Sequence, residues 1–338
     1  MAKIVFYEAS ETDKLQLTEG LKLTDHTWIF EAEPLTAETV DPDAEVISVF
    51  VGRSHVTANI MDSMPKLRLI ATRSTGFDHI DLEAATARDI TVVNVPNYGE
   101  NTVAEHAFTL LLALARRLPQ TLETTKEGIY SPTELSGFDL KGKVLGVVGT
   151  GRIGQHSARI GRGFGMEVLG YDLFEKPEVA EEIGFRYVSF DELLATSDAI
   201  TLHAPLTPEN VHLMKNETFA KMKPGAVLIN TARGELVDTH ALIAALESGH
   251  LAGAGLDTIE GERFLNEEIE VNTVLDNKTT KEALINLAET ETLLRMPQTI
   301  VTPHSAYNTV EAVGRINGIT TDNIIKFWYG ETPNKVNR

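Results

Sequence analysis

Short runs of consecutive apolar, mostly β-branched residues alternate along the chain with longer stretches in which apolar positions recur at helical spacing. Residues 4–7, 46–51, 69–71 and 91–93 form a first series of such runs. Residues 144–148, 167–171, 199–202, 226–229 and 252–256 form a second. Runs that are apolar throughout, rather than at every other position, predict parallel strands covered on both faces. Helix-length segments separate them, so they read as repeated βαβ units with right-handed crossovers, an α/β architecture of doubly wound parallel sheets. Asp81 stands immediately before Leu82-Glu83-Ala84-Ala85 and is placed to cap a helix there. Long apolar segments at 103–114 and 310–328 predict two further helices. The first is a candidate inter-domain helix, and the second returns the chain to its first domain, which is then discontinuous. Residues 263–298 are polar with a helical patch at 281–294 and read as an insertion.

The chain length of 338 residues suits two domains of roughly 100–200 residues each. Apolar residues make up 42% and charged residues 23%, a globular composition. The formal charge, 30 − 49 = −19, repels phosphate backbones and anionic lipid, so neither nucleic acid nor a membrane surface is an expected partner. An anionic substrate would have to be drawn in by a local cation. The absence of cysteine excludes disulfides, thiolate metal sites and cysteine nucleophiles. The apolar run at 4–7 is too short for a signal-peptide core, and no stretch approaches the roughly 20 apolar residues of a membrane span. A cytoplasmic location is expected. No histidine–carboxylate set has metal-ligand spacing, and no metal is expected.

A cofactor site is legible at Gly149-Thr150-Gly151-Arg152-Ile153-Gly154. The G-x-G-x-x-G pattern follows a predicted strand, opens a predicted helix, and is followed by Asp172 at the end of the next predicted strand. Gly149 permits the tight turn, Gly151 the approach of a diphosphate, and Gly154 close packing of helix on sheet. The helix N-terminus supplies N–H groups and partial positive charge. Asp172 is placed to accept from ribose hydroxyls and to repel a 2′-phosphate. Leu173 and Phe174 bring no compensating cation, so NAD is favoured over NADP. A second feature is Arg233, just past a predicted strand end, where open α/β sheets bind their ligands. A guanidinium there suits a carboxylate and an adjacent carbonyl oxygen.

At these residues the sequence resembles the D-isomer-specific 2-hydroxyacid dehydrogenases. The resemblance is carried by residues 222–238 with Asn230, Arg233 and Asp238, and by 73–81, Val103-Ala104-Glu105-His106, 203–210, Gly255-Leu256-Asp257 and Thr302-Pro303-His304. Residues 137–143, 206–213 and the insertion after Gly261-Glu262-Arg263 are most similar to the D-lactate dehydrogenases of that family. Many relatives have a shorter link there, often with Pro at the place of Arg263.

The resemblance implies a Rossmann NAD-binding domain at 100–302 inserted in a flavodoxin-like substrate domain at 1–99 and 303–338. It implies an active site in the interdomain cleft and a homodimer joined through the NAD-binding domains. It implies Arg233 as the group that binds the substrate carboxylate and His304 as the acid–base residue, whose near-neutral pKa suits a reversible reaction. Glu262 is implied as the carboxylate that tunes His304, although Glu260 offers the same chemistry nearby. Cofactor contacts are implied at Val103, Gly149, Gly151, Arg152, Ile153, Gly154, Asp172, His203, Ala204, Pro205, Asn210, Thr231, Ala232 and Asp257, the last holding the nicotinamide carboxamide. Substrate contacts are implied at Ser74, Thr75, Gly76, Tyr98, Arg233 and Tyr307, with Phe50 and Val51 as further candidates for setting pocket size. His106, His156, His212, His240 and His250 read as structural or solvent-exposed histidines.

The expected function is therefore NAD-dependent reduction of pyruvate to D-lactate. Glyoxylate, hydroxypyruvate or a branched-chain 2-keto acid are alternative substrates, and an NAD(H)-sensing regulatory protein of the same fold is an alternative of another class.

Overall fold

A computed structural model describes residues 2–51, 53–262 and 278–337, the side chains of 278–283 excepted. The chain divides into two compact units, one of Met1–Gly99 with Asn308–Arg338 and one of Glu100–Tyr307. The second crossing thus falls between 307 and 308 rather than between 302 and 303. Its cause is visible in the hydrogen bonds. The backbone N–H groups of His304, Ser305 and Ala306 all donate to Asp257, which ties these residues to the second unit.

The first unit holds a five-stranded sheet of β1 (Lys3–Tyr7), β2 (Thr27–Glu31), β3 (Val46–Val49), β4 (Leu69–Thr72) and β5 (Thr91–Val93). All pairings are parallel, in the order β2-β1-β3-β4-β5. This is the flavodoxin-like order. Successive residues serve opposite faces. Val5, Ile47, Ile70 and Val92 pack on one side, and Ile4, Phe6, Val46, Leu69 and Ala71 on the other. The edge at β5 is covered by the C-terminal segment, where Lys335 bridges Val93 and the Asn337 side chain accepts from the Val92 N–H. The helix Leu82–Ala87 begins as expected, the Asp81 carboxylate accepting the Ala84 N–H at 2.8 Å.

The second unit holds seven parallel strands: β6 (Val144–Val148), β7 (Glu167–Tyr171), β8 (Arg186–Tyr187), β9 (Ala199–Leu202), β10 (Ala226–Asn230), β11 (Leu251–Leu256) and β12 (Thr299–Val301). Their order is β12-β11-β10-β9-β6-β7-β8. The chain runs outward from β6 to β8, then crosses back to β9 and runs outward on the other side. The reversal between β6 and β9 creates the crevice in which sheets of this kind bind ligands. Four strands here, β6 and β9 to β11, are buried almost throughout. The long helices belong each to one unit, Glu100–Ala115 to the second and Val310–Trp328 to the first. Of the expected insertion, Lys278–Arg295 is a helix whose Leu293 joins the core of the second unit, and 263–277 with Arg263 lies outside the described residues. Among the described residues no helix is long and apolar enough to cross a membrane, and no cluster of His, Asp and Glu could hold a metal ion.

Candidate active site

The carboxyl ends of the strands of the second unit carry its chemistry. After β6, Gly149 adopts φ +88, a conformation that side chains avoid. A Cβ on it would lie 2.6 Å from the Ala204 nitrogen, so the loop after β6 lies directly on the His203-Ala204 backbone after β9. A Cβ on Gly154 would lie 2.0 Å from the Gly149 carbonyl oxygen. Gly151 is different. Nothing lies within 4 Å of the place its Cβ would take, and it begins the helix Arg152–Gly163 without a side-chain cap. An open backbone at an uncapped helix N-terminus is what a diphosphate requires.

Asp172 stands at the end of β7. Its carboxylate accepts the Thr150 N–H at 2.6 Å and the Phe174 N–H at 2.9 Å. The Thr150 hydroxyl in turn lies 2.7 Å from the Tyr187 hydroxyl, so the acid is fixed beside the glycine loop. His203 is held by the hydroxyls of Ser157 at 2.8 Å and Thr201 at 3.0 Å, and burial pushes its pKa down to about 3, which keeps it neutral. Thr231, buried after β10, has a hydroxyl with no hydrogen-bond partner among the described residues. Open glycine backbone, a fixed carboxylate and an unspent buried hydroxyl fit a dinucleotide. Not every expected contact is presented as one. The Asn210 amide is spent on closing its own turn, donating to the Pro205 carbonyl and accepting the Thr207 N–H, each at 2.7 Å. Val103 is buried in the helix Glu100–Ala115, and Arg152 reaches Glu100 at 3.5 Å.

Arg233 is presented by a turn that the sequence reading passed over. The buried Asn230 side chain donates to the Arg233 carbonyl at 2.8 Å and accepts the Ala232 N–H at 3.0 Å. An Asn at a strand end is the signal for such a turn. Gly234 then lets this turn lie against the next strand's loop, since a Cβ there would meet the Ile259 carbonyl carbon at 2.1 Å. Gly261, at φ +71, turns the chain between two acids. Glu260 meets His212 at 2.8 Å, whereas Glu262 meets His304. The register between the two acids is thereby settled in space.

His304 follows β12 in the left-handed region, at φ +49. Its Nδ1–H donates to Glu262 Oε1 at 2.7 Å. Burial works against its charge, but the hydrogen bond and charge of Glu262, then the charge of Asp257, outweigh burial. The imidazole is held above its ordinary pKa even though Arg233 opposes this. Glu262 and Arg233 thus both act on His304, and all three lie within a single unit. Asp257, 1% exposed, holds the turn that carries His304. Its oxygens accept from the Thr302 hydroxyl (2.6 Å), the Ser305 N–H (2.9 Å) and the Ala306 N–H (2.9 Å). A carboxylate so occupied has a scaffold role before any role toward a carboxamide. In the first unit Ser74, Thr75 and Gly76 follow β4. The Ser74 hydroxyl donates to the Gly76 carbonyl at 2.6 Å and the Thr75 hydroxyl to the Val95 carbonyl at 2.8 Å. The side chains therefore shape the loop, and since its three carbonyls accept from Val95, Asn94 and Ser74, its backbone N–H groups are what it can offer a ligand. The Tyr98 carbonyl accepts from Arg315 in the same unit, and Tyr307 is the last residue of the second.

Comparison with known proteins gives the arrangement a context. The sequence model described as the NAD binding domain of D-isomer specific 2-hydroxyacid dehydrogenase matches residues 108–306. The chain is 40% identical over 291 residues to a glyoxylate reductase of Thermococcus litoralis, covering 84% of this chain and 81% of that one. It is 34% identical over 340 residues to a D-lactate dehydrogenase of Escherichia coli, covering 99% of both. The solved structure of a D-lactate dehydrogenase from Aquifex aeolicus, complexed with NAD and lactic acid, superposes with a TM-score of 0.82 at 37% identity, covering 97% of this chain and 96% of that one.

Proposed function

The chain belongs to the D-isomer-specific 2-hydroxyacid dehydrogenase family, and from that premise we propose that it is a D-lactate dehydrogenase, reducing pyruvate to D-lactate with NADH. It is an NAD-dependent oxidoreductase acting on the CH–OH group of 2-hydroxy acids. The observation that carries the mechanism is the 2.7 Å contact of His304 with Glu262 beside Arg233.

The glycine loop 149–154, Asp172 and Thr231 would hold the dinucleotide. NADH, when bound, supplies a hydride, whose electron pair forms the new C–H bond at the keto carbon. Arg233 binds the substrate carboxylate and polarises the neighbouring carbonyl, a guanidinium being able to serve both. His304, protonated through its pairing with Glu262, gives the proton of Nε2 to the oxygen as the carbonyl π bond breaks. Its charge and that of Arg233 stabilise the developing alkoxide. In the oxidative direction the neutral imidazole takes the proton back. Ser74, Thr75, Gly76 and Tyr98 are the substrate contacts we assign to the first unit, and Tyr307 to the second.

Pyruvate is favoured over glyoxylate by coverage. The D-lactate dehydrogenase matches this chain end to end, while the more identical glyoxylate reductase leaves a sixth of it unmatched. The exposed side chains of Leu118, Leu122, Ile129 and Tyr130 support pairing of two copies through the second unit. A panel of pyruvate, glyoxylate, hydroxypyruvate and 2-ketoisocaproate, each with NADH and NADPH and with chiral analysis of the product, tests the reading. The highest kcat/KM is expected for pyruvate with NADH, giving D-lactate. A clear preference for another acid would move the assignment within the family, and tight NADH binding without turnover would favour a sensor.

A further inference from the structure

We infer that His106, a histidine with no evident role in the sequence, is a positioning residue for His304, acting through Thr302 and Asp257. The inference rests on the acid–base role proposed above for His304. His106 lies on the helix Glu100–Ala115, far along the chain from the residues it meets. Its Nε2 is 3.0 Å from the Thr302 hydroxyl and 3.3 Å from Asp257 Oδ1.

The direction of these bonds follows from counting hydrogens. Burial works to raise the pKa of Asp257, but the donors from His106, Thr302, Ala306 and Ser305 outweigh it, and the carboxyl is held below the ordinary range. Asp257 is therefore an acceptor only. The single hydrogen of the Thr302 hydroxyl goes to Asp257 Oδ1, 2.6 Å away. The Thr302 oxygen is then left to accept, so His106 Nε2 must carry a hydrogen and donate it. That N–H is shared with Asp257 Oδ1.

Asp257 thus gathers donors from two places, His106 on the helix and the 302–306 turn. Its backbone carbonyl also accepts the His304 N–H at 2.9 Å. The turn needs this hold, because φ +49 is a strained conformation for a non-glycine residue. His106 and the turn meet on one oxygen, Oδ1, which also accepts from Thr302 and Ser305, while Oδ2 accepts the Ala306 N–H. The charged groups that act on His304 itself are Glu262, Asp257 and Arg233, so His106 reaches the imidazole only through this scaffold.

The test uses the full-length enzyme and three substitutions, His106→Phe, Thr302→Val and His106→Gln, with His304→Asn as the control. Pyruvate reduction is measured against pH. Losing one hydrogen bond to a charged group translates into roughly a tenfold loss of kcat, expected in H106F and T302V. The alkaline limb should also move to lower pH in both, because a loosened turn weakens the contact of His304 with Glu262. H106Q keeps an N–H donor on a side chain of similar reach and should restore most of kcat and the position of the limb. Should H106F fail to fold, T302V carries the same expectation, since it removes the hydroxyl at nearly constant volume. Wild-type kcat and pH profile in H106F and T302V, alongside an inactive H304N, would overturn the inference while leaving the acid–base role intact. H106Q as impaired as H106F would also overturn it. Turnover surviving in H304N would instead remove the acid–base role, and the inference with it.

Discussion

His304 and Glu262 stand 42 residues apart in the chain and 2.7 Å apart in space, with the imidazole Nδ1–H donating to the carboxylate. The bond engages one ring nitrogen, Nδ1, and Glu262 is the first of the groups that hold the imidazole above its ordinary pKa.

Replacing Glu262 by Gln keeps a carbonyl acceptor and removes the charge. Burial already opposes the imidazolium, and Glu262 is the first of the groups that outweigh it, so the pKa of His304 falls in the variant. Reduction needs the protonated ring, whose population is lost as pH rises through that pKa. The alkaline limb of kcat/KM for pyruvate reduction is therefore expected to move to lower pH, with little change on the acid side. Superimposable profiles for wild type and variant would contradict the pairing.

Arg233→Lys tests the carboxylate clamp. Lysine keeps the charge but loses the planar fork. The expected result is a KM for pyruvate raised about 10²-fold, equivalent to roughly 2.7 kcal/mol, with the Kd for NADH unchanged. A selective loss of NADH affinity would place Arg233 on the cofactor instead.

Two glycines of one motif should respond in opposite ways. Gly154→Ala brings a methyl within 2.0 Å of the Gly149 carbonyl oxygen, both atoms on backbone, so the loop must shift at a cost of about 1–3 kcal/mol. A lower Tm is expected. Gly151→Ala meets no atom within 4 Å and has an ordinary φ of −64, so its Tm should hold. Its NADH affinity should nevertheless fall, because the methyl occupies the approach to the helix N-terminus. Calorimetry of both variants with and without NADH separates the outcomes. Equal thermal loss in both would show that the open space at Gly151 is not available.

This contrast also shows what a single sequence reveals. The strands read most plainly were those buried on both faces, such as β6 and β9, where composition alone signals the environment. The edge strands β2 and β8 escaped notice. β2 is largely exposed or half-exposed, and β8 has two residues, so neither carries a continuous apolar signature. The glycine loop was legible because its spacing is local. The scaffold behind His304 was not, since His106 and Thr302 are 196 residues apart and nothing in either neighbourhood announces the other. Glu262 is singled out only through the family resemblance, for Glu260 two residues away offers the same chemistry, and in space Glu260 meets His212 while Glu262 meets His304.

Asp257 couples the stability of the second unit to its chemistry, and Asp257→Asn should disturb both. Both oxygens accept hydrogens from the chain, so an amide nitrogen at either position faces a donor, at a cost of about 1–3 kcal/mol. The pH dependence has a definite sign. The carboxyl is depressed in the folded protein, its donors outweighing burial, so its contribution to stability is present above the unfolded-state pKa and is lost as pH falls through the folded one. Wild type should therefore exceed D257N in urea midpoint at neutral pH, and the gap should close in acid, where both side chains are uncharged. Removing this charge also removes one of the groups that hold His304 above its ordinary pKa, so the alkaline limb of reduction should fall to lower pH as in Glu262→Gln. A gap in midpoint that is constant across pH would mean that the Asp257 charge is not what binds the 302–306 turn. A shifted limb without any loss of midpoint would assign Asp257 to the field at His304 alone.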